Sequence, residues 1–347
     1  MLKLLDVKAF KCIEEQSFQL APLTLVTGTN ASGKSTVLQA ILVGLSYLKQ
    51  DKLSYLRDLV KPYVQLEDVL CRTAEARQVD IGLTTVDGQR FDTFITELAP
   101  GFHGDRDFLP YAYEETLFYL SANRGGPEEL AELSKELLIG PHGQYALGYL
   151  EQHKDKPLSL ELCRAEAPAQ TLKAQLAWWL SYITGTECEA VTDKVTSTRI
   201  KLSFVMGELG EVSPLNTGAG NSYLLKLLIM CLAAKPGHLV LIENPEIHLH
   251  PGAQSRLGEF FAYLASRGVQ LVIETHCEHL INRVRYEVYR QTLGAADAVV
   301  HYKQSPGEPF TQLGFLPSGH FCDEQDKPVN FPTGFFDSTL GELLEMG

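Results

Sequence analysis

Residues 28–35 read Gly-Thr-Asn-Ala-Ser-Gly-Lys-Ser, and no other stretch restricts what this chain folds into as tightly. The run satisfies Gly-x4-Gly-Lys-Ser/Thr, a pattern whose glycines let a tight loop bring its backbone against phosphate groups. A compact β-rich run at 23–27 precedes it, and residues 34–49 follow with apolar positions at helical spacing. A strand–loop–helix unit aims backbone N–H groups and the positive end of the helix at an anion. The pattern assigns Gly28, Thr29, Asn30, Ala31, Ser32, Gly33, Lys34, Ser35 and Thr36 to nucleotide binding. Lys34 then faces the β- and γ-phosphates, and the Ser35 hydroxyl sits on Mg²⁺. The guanine-reading motif Asn-Lys-x-Asp does not occur in the sequence, so ATP with Mg²⁺ is the expected pair.

A second element belongs beside the first. Residues 239–243, Leu-Val-Leu-Ile-Glu, form an apolar strand ending in an acid, where a magnesium-associated carboxylate belongs. Glu246 follows three residues later as a general base or water-orienting group. Asn244 between them orients water but accepts no proton. The alternative is that one of the two acids merely caps the turn. Residues 238–242, 254–266 and 269–274 read as strand, helix and strand, a parallel βαβ unit. The second strand leads into His276, which its parallel neighbour brings towards the γ-phosphate. His248, His250 and His276 invite comparison with a zinc cluster, but the acids nearby already serve Mg²⁺. These histidines are expected to shape the loop and touch a partner subunit. Arg124, in the turn Asn-Arg-Gly-Gly-Pro, reads either as a phosphate contact and relay of nucleotide state or as a solvated turn arginine.

Residues 3–10 alternate as a strand, and 79–84 with 91–98 form a hairpin around Asp87-Gly88. Residues 99–115 are expected to be loop. From 127 to about 183 the pattern is mainly helical, with EELAELSKELL and QTLKAQLAWWLSYI as the clearest pieces. Residues 197–204 read as a strand, 217–220 as a glycine loop opening a helix through 234, and 278–291 as a helix. Residues 298–303 and 310–316 are a final strand pair, and the tail ends in a short helix. The division expected is an N-terminal lobe (1–126), a helical insertion or lid (127–186), a C-terminal lobe (187–300) and an extension (301–347). Acids outnumber bases, 43 to 30, so a surface basic all over is excluded while a local groove is not. Seven cysteines without a CxxC pair fit a reducing compartment. No run is long enough to span a membrane, and the start lacks a signal-peptide core; a soluble cytoplasmic protein is expected.

Together GTNASGKST (28–36), YLSANRGGP (119–127), NTGAGNSYLL (216–225), LIENPEIHLHP (241–251), ETHCEHLINRVR (274–285) and FPTGFFD (331–337) resemble the ATP-binding-cassette-type heads of SMC-like and OLD-like ATPases. Within these they are most similar to a bacterial group of stand-alone AAA ATPases with an ENPExHLHP element and a C-terminal domain of unknown function, often linked to anti-phage defence. The resemblance implies an α/β head of the SMC/RecF type that dimerises with ATP between subunits. It assigns the partner-facing signature loop to Thr217, Gly218 and Gly220 with Ser222 at the helix start, either Thr217 or Ser222 supplying a hydroxyl. It departs from the common head in carrying Glu243-Asn244 where Asp-Glu is usual, which passes the proton-accepting work to Glu246 or makes hydrolysis slow.

The leading expectation is an ATPase that switches a separately encoded effector or engages DNA. A Toprim nuclease needs a further domain, and the sequence shows no second catalytic centre. The alternatives are a RecF-like DNA repair clamp, with Lys194, Arg199, Lys201, Arg283, Arg285 and Arg290 as contributors to a basic groove, and a non-hydrolysing nucleotide-bound scaffold. The residues Phe335, Phe336 and Asp337 read as an element that docks on the head.

Overall fold

The structure, a computed structural model, describes residues 1–48, 52–105 and 111–332. Near-continuous apolar runs are what strands covered on both faces require, and these runs form the middle of a seven-stranded sheet. Its order is Phe321–Cys322, Thr311–Phe315, Ala298–Lys303, Leu23–Gly28, Gln270–Glu274, Leu239–Glu243 and Leu117–Leu120. The strands from Ala298–Lys303 to Leu117–Leu120 run parallel; Thr311–Phe315 pairs antiparallel with Ala298–Lys303, and Phe321–Cys322 antiparallel with Thr311–Phe315.

Alternation along each strand divides the apolar side chains between two cores. Leu25, Val240, Ile242, Leu271 and Ile273 pack with the helices Ala146–His153, Leu172–Thr184, Ala219–Ala233 and Pro251–Ser266. Val26, Leu239, Leu241 and Val272 pack on the opposite face with the helix Ser35–Leu45. That second core is closed by an antiparallel sheet in the order Ile13–Gln19, Leu2–Phe10, Val79–Thr85, Arg90–Ile95, Gly101–His103. The hairpin around Asp87-Gly88 is therefore present, and a short strand lies in the segment read as loop.

The helix Leu172–Thr184 forms as its pattern predicts. Thr171 caps its start, accepting from the Ala174 N–H, and Gly185 closes it at φ 76°. Its Leu176, Trp179 and Leu180 share one core with Phe260 and Leu257 of the neighbouring helix, so this part of 127–186 is packed into the body of the protein. The other piece, EELAELSKELL, is not helical. Leu130–Glu132 is a strand paired antiparallel with Arg199–Val205. Just downstream, the fully buried carboxylate of Glu114 accepts the N–H groups of Leu138, Ile139 and Gly140 at 2.7, 2.7 and 2.9 Å. Helical spacing lost to a sheet edge and to an anion that claims three consecutive backbone donors, an override of local preference by tertiary contacts. Glu189–Lys194, a further strand on Arg199–Val205, was not anticipated. Phe335, Phe336, Asp337 and the expected terminal helix lie outside the described residues. Among the described residues no helix is long and apolar enough to cross a membrane, and all seven cysteines are free.

Candidate functional site

Because the five strands from Ala298–Lys303 to Leu117–Leu120 are parallel, their carboxyl ends share one side of the sheet, where such folds bind ligands. Gly28 ends its strand beside Lys303, and Glu243 stands in register with Glu274, which in turn pairs with Val26. The loop between Gly28 and Ser35 turns through two positions that only glycine suits. Gly28 has φ 147° and a Cβ there would run into the Lys303 carbonyl; Gly33 has φ 98° and a Cβ there would strike Cys12 Sγ. Thr29, Asn30 and Ala31 are exposed at the tip, and the helix begins at Ser35. The first N–H groups of that helix have no partner within it. Lys34 is 4% exposed and its Nζ donates to the Thr29 carbonyl at 2.5 Å. Burial lowers its pKa, and the carboxylates of Glu274 and Glu246 oppose that shift.

Not every residue of the loop points at this space. Ser32 is fully buried with an unpartnered Oγ. Thr36 is 4% exposed, and its Oγ1 lies 3.7 Å from Cys12 Sγ, beneath the loop.

Strand alternation aims the acids. Leu239 and Leu241 face the core that holds the helix Ser35–Leu45, so Glu243 continues on that face; Val272 and Glu274 do the same one strand over. Tyr119, on the same face of the next strand, donates from its hydroxyl to Glu243 Oε1 at 2.9 Å, and the Ala122 N–H donates to Oε2 at 3.0 Å. Lys11 adds a cation within Coulombic range of Glu243 and donates to Gln39 Oε1 at 2.5 Å. Burial pushes the Glu274 carboxyl up to about 7; the Ser35 hydroxyl beside it opposes, and the charge of Glu243 adds.

After Glu243 the chain turns sharply. Asn244 has φ 43°, a left-handed conformation that asparagine tolerates better than most residues. Its N–H donates to the Glu274 carbonyl at 2.8 Å. The departure from the usual Asp-Glu pair thus coincides with a backbone position that suits asparagine. The turn brings Glu246 back: its Oε1 accepts the His276 N–H at 2.7 Å, and its buried Oε2 has no partner. Burial raises the Glu246 pKa, with the bond from His276 opposing. The His276 ring is exposed; burial of part of it, with the charge of Lys34, lowers its pKa.

Arg124 is 5% exposed, which excludes the solvated turn arginine. Its guanidinium donates to the carbonyls of Ser121 (3.0 Å), Asn244 (3.2 Å) and Glu243, while Nη1 stays unpartnered. Burial lowers its pKa to about 10, opposed by Glu246 and Glu243. Lys226, 2% exposed on the helix Ala219–Ala233, pairs with Glu128 at 2.7 Å and donates to the Gly125 carbonyl, fixing the turn that carries Arg124.

Thr217, Gly218, Gly220 and Ser222 lie at the start of the helix Ala219–Ala233. Among the described residues no hydrogen bond joins them to the 28–36 loop. Gly218 is exposed at the start of its helix, and Gly220 packs on the His248 carbonyl. Ser222 is 2% exposed, and its buried hydroxyl has no partner. Thr217 is half-buried, and its hydroxyl donates to the Pro214 carbonyl at 3.0 Å. His250 caps the helix Pro251–Ser266, accepting the Gly252 N–H, and His248 lies 5.0 Å from the Tyr223 ring. Among the described residues no group of three or more His, Cys, Asp or Glu is gathered to hold a metal by itself.

Glu274, Tyr119 and Lys11 were not assigned to the site from sequence. Period-two alternation carries a signal for the first two, because Glu274 shares parity with Val272 and Tyr119 with Leu117. Lys11 has no comparable signal.

Comparison with known proteins bears on this geometry. The family described as "AAA domain, putative AbiEii toxin, Type IV TA system" matches residues 89–282, more than half of the chain. The chain belongs to this AAA-domain family. A second AAA domain family matches residues 5–132. Over 41 residues the AAA-domain chain is 51% identical to the OLD nuclease of Thermus scotoductus, a stretch that is 12% of the chain and 8% of that relative. Its fold is that of SMC heads. A crystal structure of the SMC head bound to the C-terminal winged-helix domain of ScpA superposes with a TM-score of 0.58, at 10% identity, covering 90% of this chain and 97% of that one. An SMC head with an extended coiled coil, bound to the C-terminal domain of ScpA from Pyrococcus furiosus, gives 0.56 at 12% identity, covering 90% and 96%. The architecture is therefore the mixed α/β, ABC-type P-loop head expected from sequence.

Proposed function

We propose that this AAA-domain protein is an ATPase head that closes as a homodimer around Mg²⁺-ATP and uses the closure to switch a separately encoded effector. The observation that carries the reading is the convergence of the Gly28–Ser35 loop, Glu243, and the Glu246–His276 pair at the ends of adjacent parallel strands. The residues fit a Mg²⁺-nucleotide. Buried oxygens of Glu246, Asn244 and Glu274 await partners, and the positive-φ turns at Gly28 and Gly33 lead the loop into a helix whose first N–H groups have no partner within it.

In this reading the loop N–H groups and Lys34 bind the phosphates. Ser35 and Glu243 would hold Mg²⁺, which would supply neutralisation of the negative charge that develops as the phosphoryl group is transferred. Glu246 accepts the proton of the attacking water through Oε2, held in place by its bond to the His276 N–H. The exposed His276 ring steadies the γ-phosphate or the water. Arg124 acts through the backbone, holding the carbonyls of Glu243 and Asn244 in position.

Exposure of Gly218, with no hydrogen bond among the described residues from the 217–222 loop to the chain's own phosphate loop, supports a γ-phosphate contact supplied across a dimer. The SMC heads it resembles bind ScpA domains, which supports a protein partner here. The family's toxin-system description and the short likeness to an OLD nuclease support a place in anti-phage defence. A DNA-clamp reading has less support. Arg283 is committed to Glu259 and Glu287, Arg285 to Gly319 and Asn282, and Glu132 and Asp193 stand opposite Arg199 and Lys201.

The test is sedimentation of Glu246→Gln with Mg²⁺-ATP, with Mg²⁺-ADP and without nucleotide. A dimer formed with ATP alone, and lost on adding Lys34→Ala, is the expected result. A monomer under all three conditions refutes the sandwich.

A further inference from the structure

Two neighbouring parallel strands each end in a carboxylate on the same face, and the reading above uses only one of them for the cation. Glu274 is 5% exposed, in register with Glu243, and beside the Ser35 hydroxyl. Its Oε2 is buried and has no partner. No lysine or arginine among the described residues forms an ion pair with it; the nearest cation in charge terms, Lys34, is hydrogen-bonded to the Thr29 carbonyl. A carboxylate held this way is costly unless a cation completes it. Across the sheet Glu243 is already held by the Tyr119 hydroxyl and the Ala122 N–H, so it is not free to swing over and share a proton.

Mg²⁺ in phosphate-binding sites is held through one or two carboxylates together with substrate oxygens. We propose that Glu274 is a second protein carboxylate for the divalent cation, acting with Glu243 and the Ser35 hydroxyl, directly or through one ordered water. The assignment rests on the nucleotide-binding reading above. Its consequence is a site gated by the cation. Two carboxylates beside the phosphate loop repel a bare nucleotide and welcome one that arrives with Mg²⁺. No metal is held by protein groups alone, in keeping with the absence of a three-ligand cluster among the described residues. Phosphate oxygens complete the set.

The experiment is equilibrium binding of a fluorescent ATP analogue to the full chain, read by anisotropy over a Mg²⁺ titration and again in EDTA. Glu274→Gln is expected to raise the Mg²⁺ concentration for half-maximal binding by about tenfold or more, the scale of losing a group that supports a metal. In EDTA the same variant should bind the analogue as tightly as wild type or more tightly, because one repelling charge is gone. Opposite signs in the two arms separate this role from a structural one, which weakens both. Glu274→Asp, which keeps the charge, should give a smaller shift and serves if the Gln variant does not fold. An unchanged Mg²⁺ midpoint, or equal weakening with and without Mg²⁺, overturns the assignment while nucleotide binding stands. A wild-type protein that binds no nucleotide at any Mg²⁺ concentration overturns both.

Discussion

Replacing Glu246 by glutamine isolates the proton-accepting step. The amide keeps an oxygen to accept the His276 N–H, now donated at 2.7 Å, so the turn after Glu243 stays tied to the neighbouring strand. What changes is Oε2, buried and unpartnered in the structure, which becomes an NH₂ and no longer takes a proton. Losing the charge weakens the His276 bond by about 1 kcal/mol, and relief of the desolvation that raises the Glu246 pKa offsets it. Net stability should move by less than about 1 kcal/mol, and ATP affinity should hold. Turnover should fall by about 10²- to 10⁴-fold, the usual worth of a positioned base, or about 3 to 5 kcal/mol in the barrier. Single-turnover quench-flow at saturating ATP and Mg²⁺ measures this directly. A Glu246→Gln protein hydrolysing at the wild-type rate refutes Glu246 as the base and leaves His276 or a partner's residue to do that work. Asn244→Ala provides the contrast. It removes an orientation group and places alanine at φ 43°, costing about 1 kcal/mol in the backbone, so its rate should drop less than about tenfold.

Other consequences are open to measurement. Lys34→Ala removes the charge facing the phosphates and should abolish nucleotide binding by calorimetry while leaving the thermal transition without ligand nearly unchanged. Gly33→Ala should weaken both stability and nucleotide affinity, because the new methyl meets Cys12 Sγ at φ 98°; adding Cys12→Gly should restore part of the stability in denaturant titrations but not the strain. His301 is fully buried, and burial lowers its pKa to about 4. Its folded form resists the proton that the unfolded chain takes up below about 6.5, so stability present at pH 7 is lost as pH falls towards 4. The loss is about 2 kcal/mol at pH 5, and urea titrations of wild type and His301→Gln at pH 7 and 5 should show that slope only in wild type.

The phosphate loop was legible because its constraints are local. Gly28 and Gly33 occupy positions that a side chain cannot, and the strand before and helix after are fixed by residue type and period. The apolar runs ending at Glu243 and Glu274 announced buried parallel strands for the same reason, and alternation within them already set which face each acid takes. Sequence failed where long-range contacts outbid local ones. Residues 128–138 carry helical spacing, yet Leu130–Glu132 pairs with a strand some seventy positions on, and Glu114 takes the N–H of Leu138 at the end of the segment with those of Ile139 and Gly140 beyond it. For Arg124 the sequence left open a phosphate contact or a solvated turn arginine; only the fold, which buries it against the carbonyls of Glu243 and Asn244, excludes the second.

The sequence by itself determined the strand–loop–helix unit and the parity of the acids, since backbone sterics and side-chain alternation act over a few residues. Only the tertiary structure decided that Leu23–Gly28 lies between Ala298–Lys303 and Gln270–Glu274, that Tyr119 holds Glu243, and that Ser222 turns inward. Strand order and burial depend on which distant surfaces exclude water together, a choice made by the whole chain and written in no single segment of it.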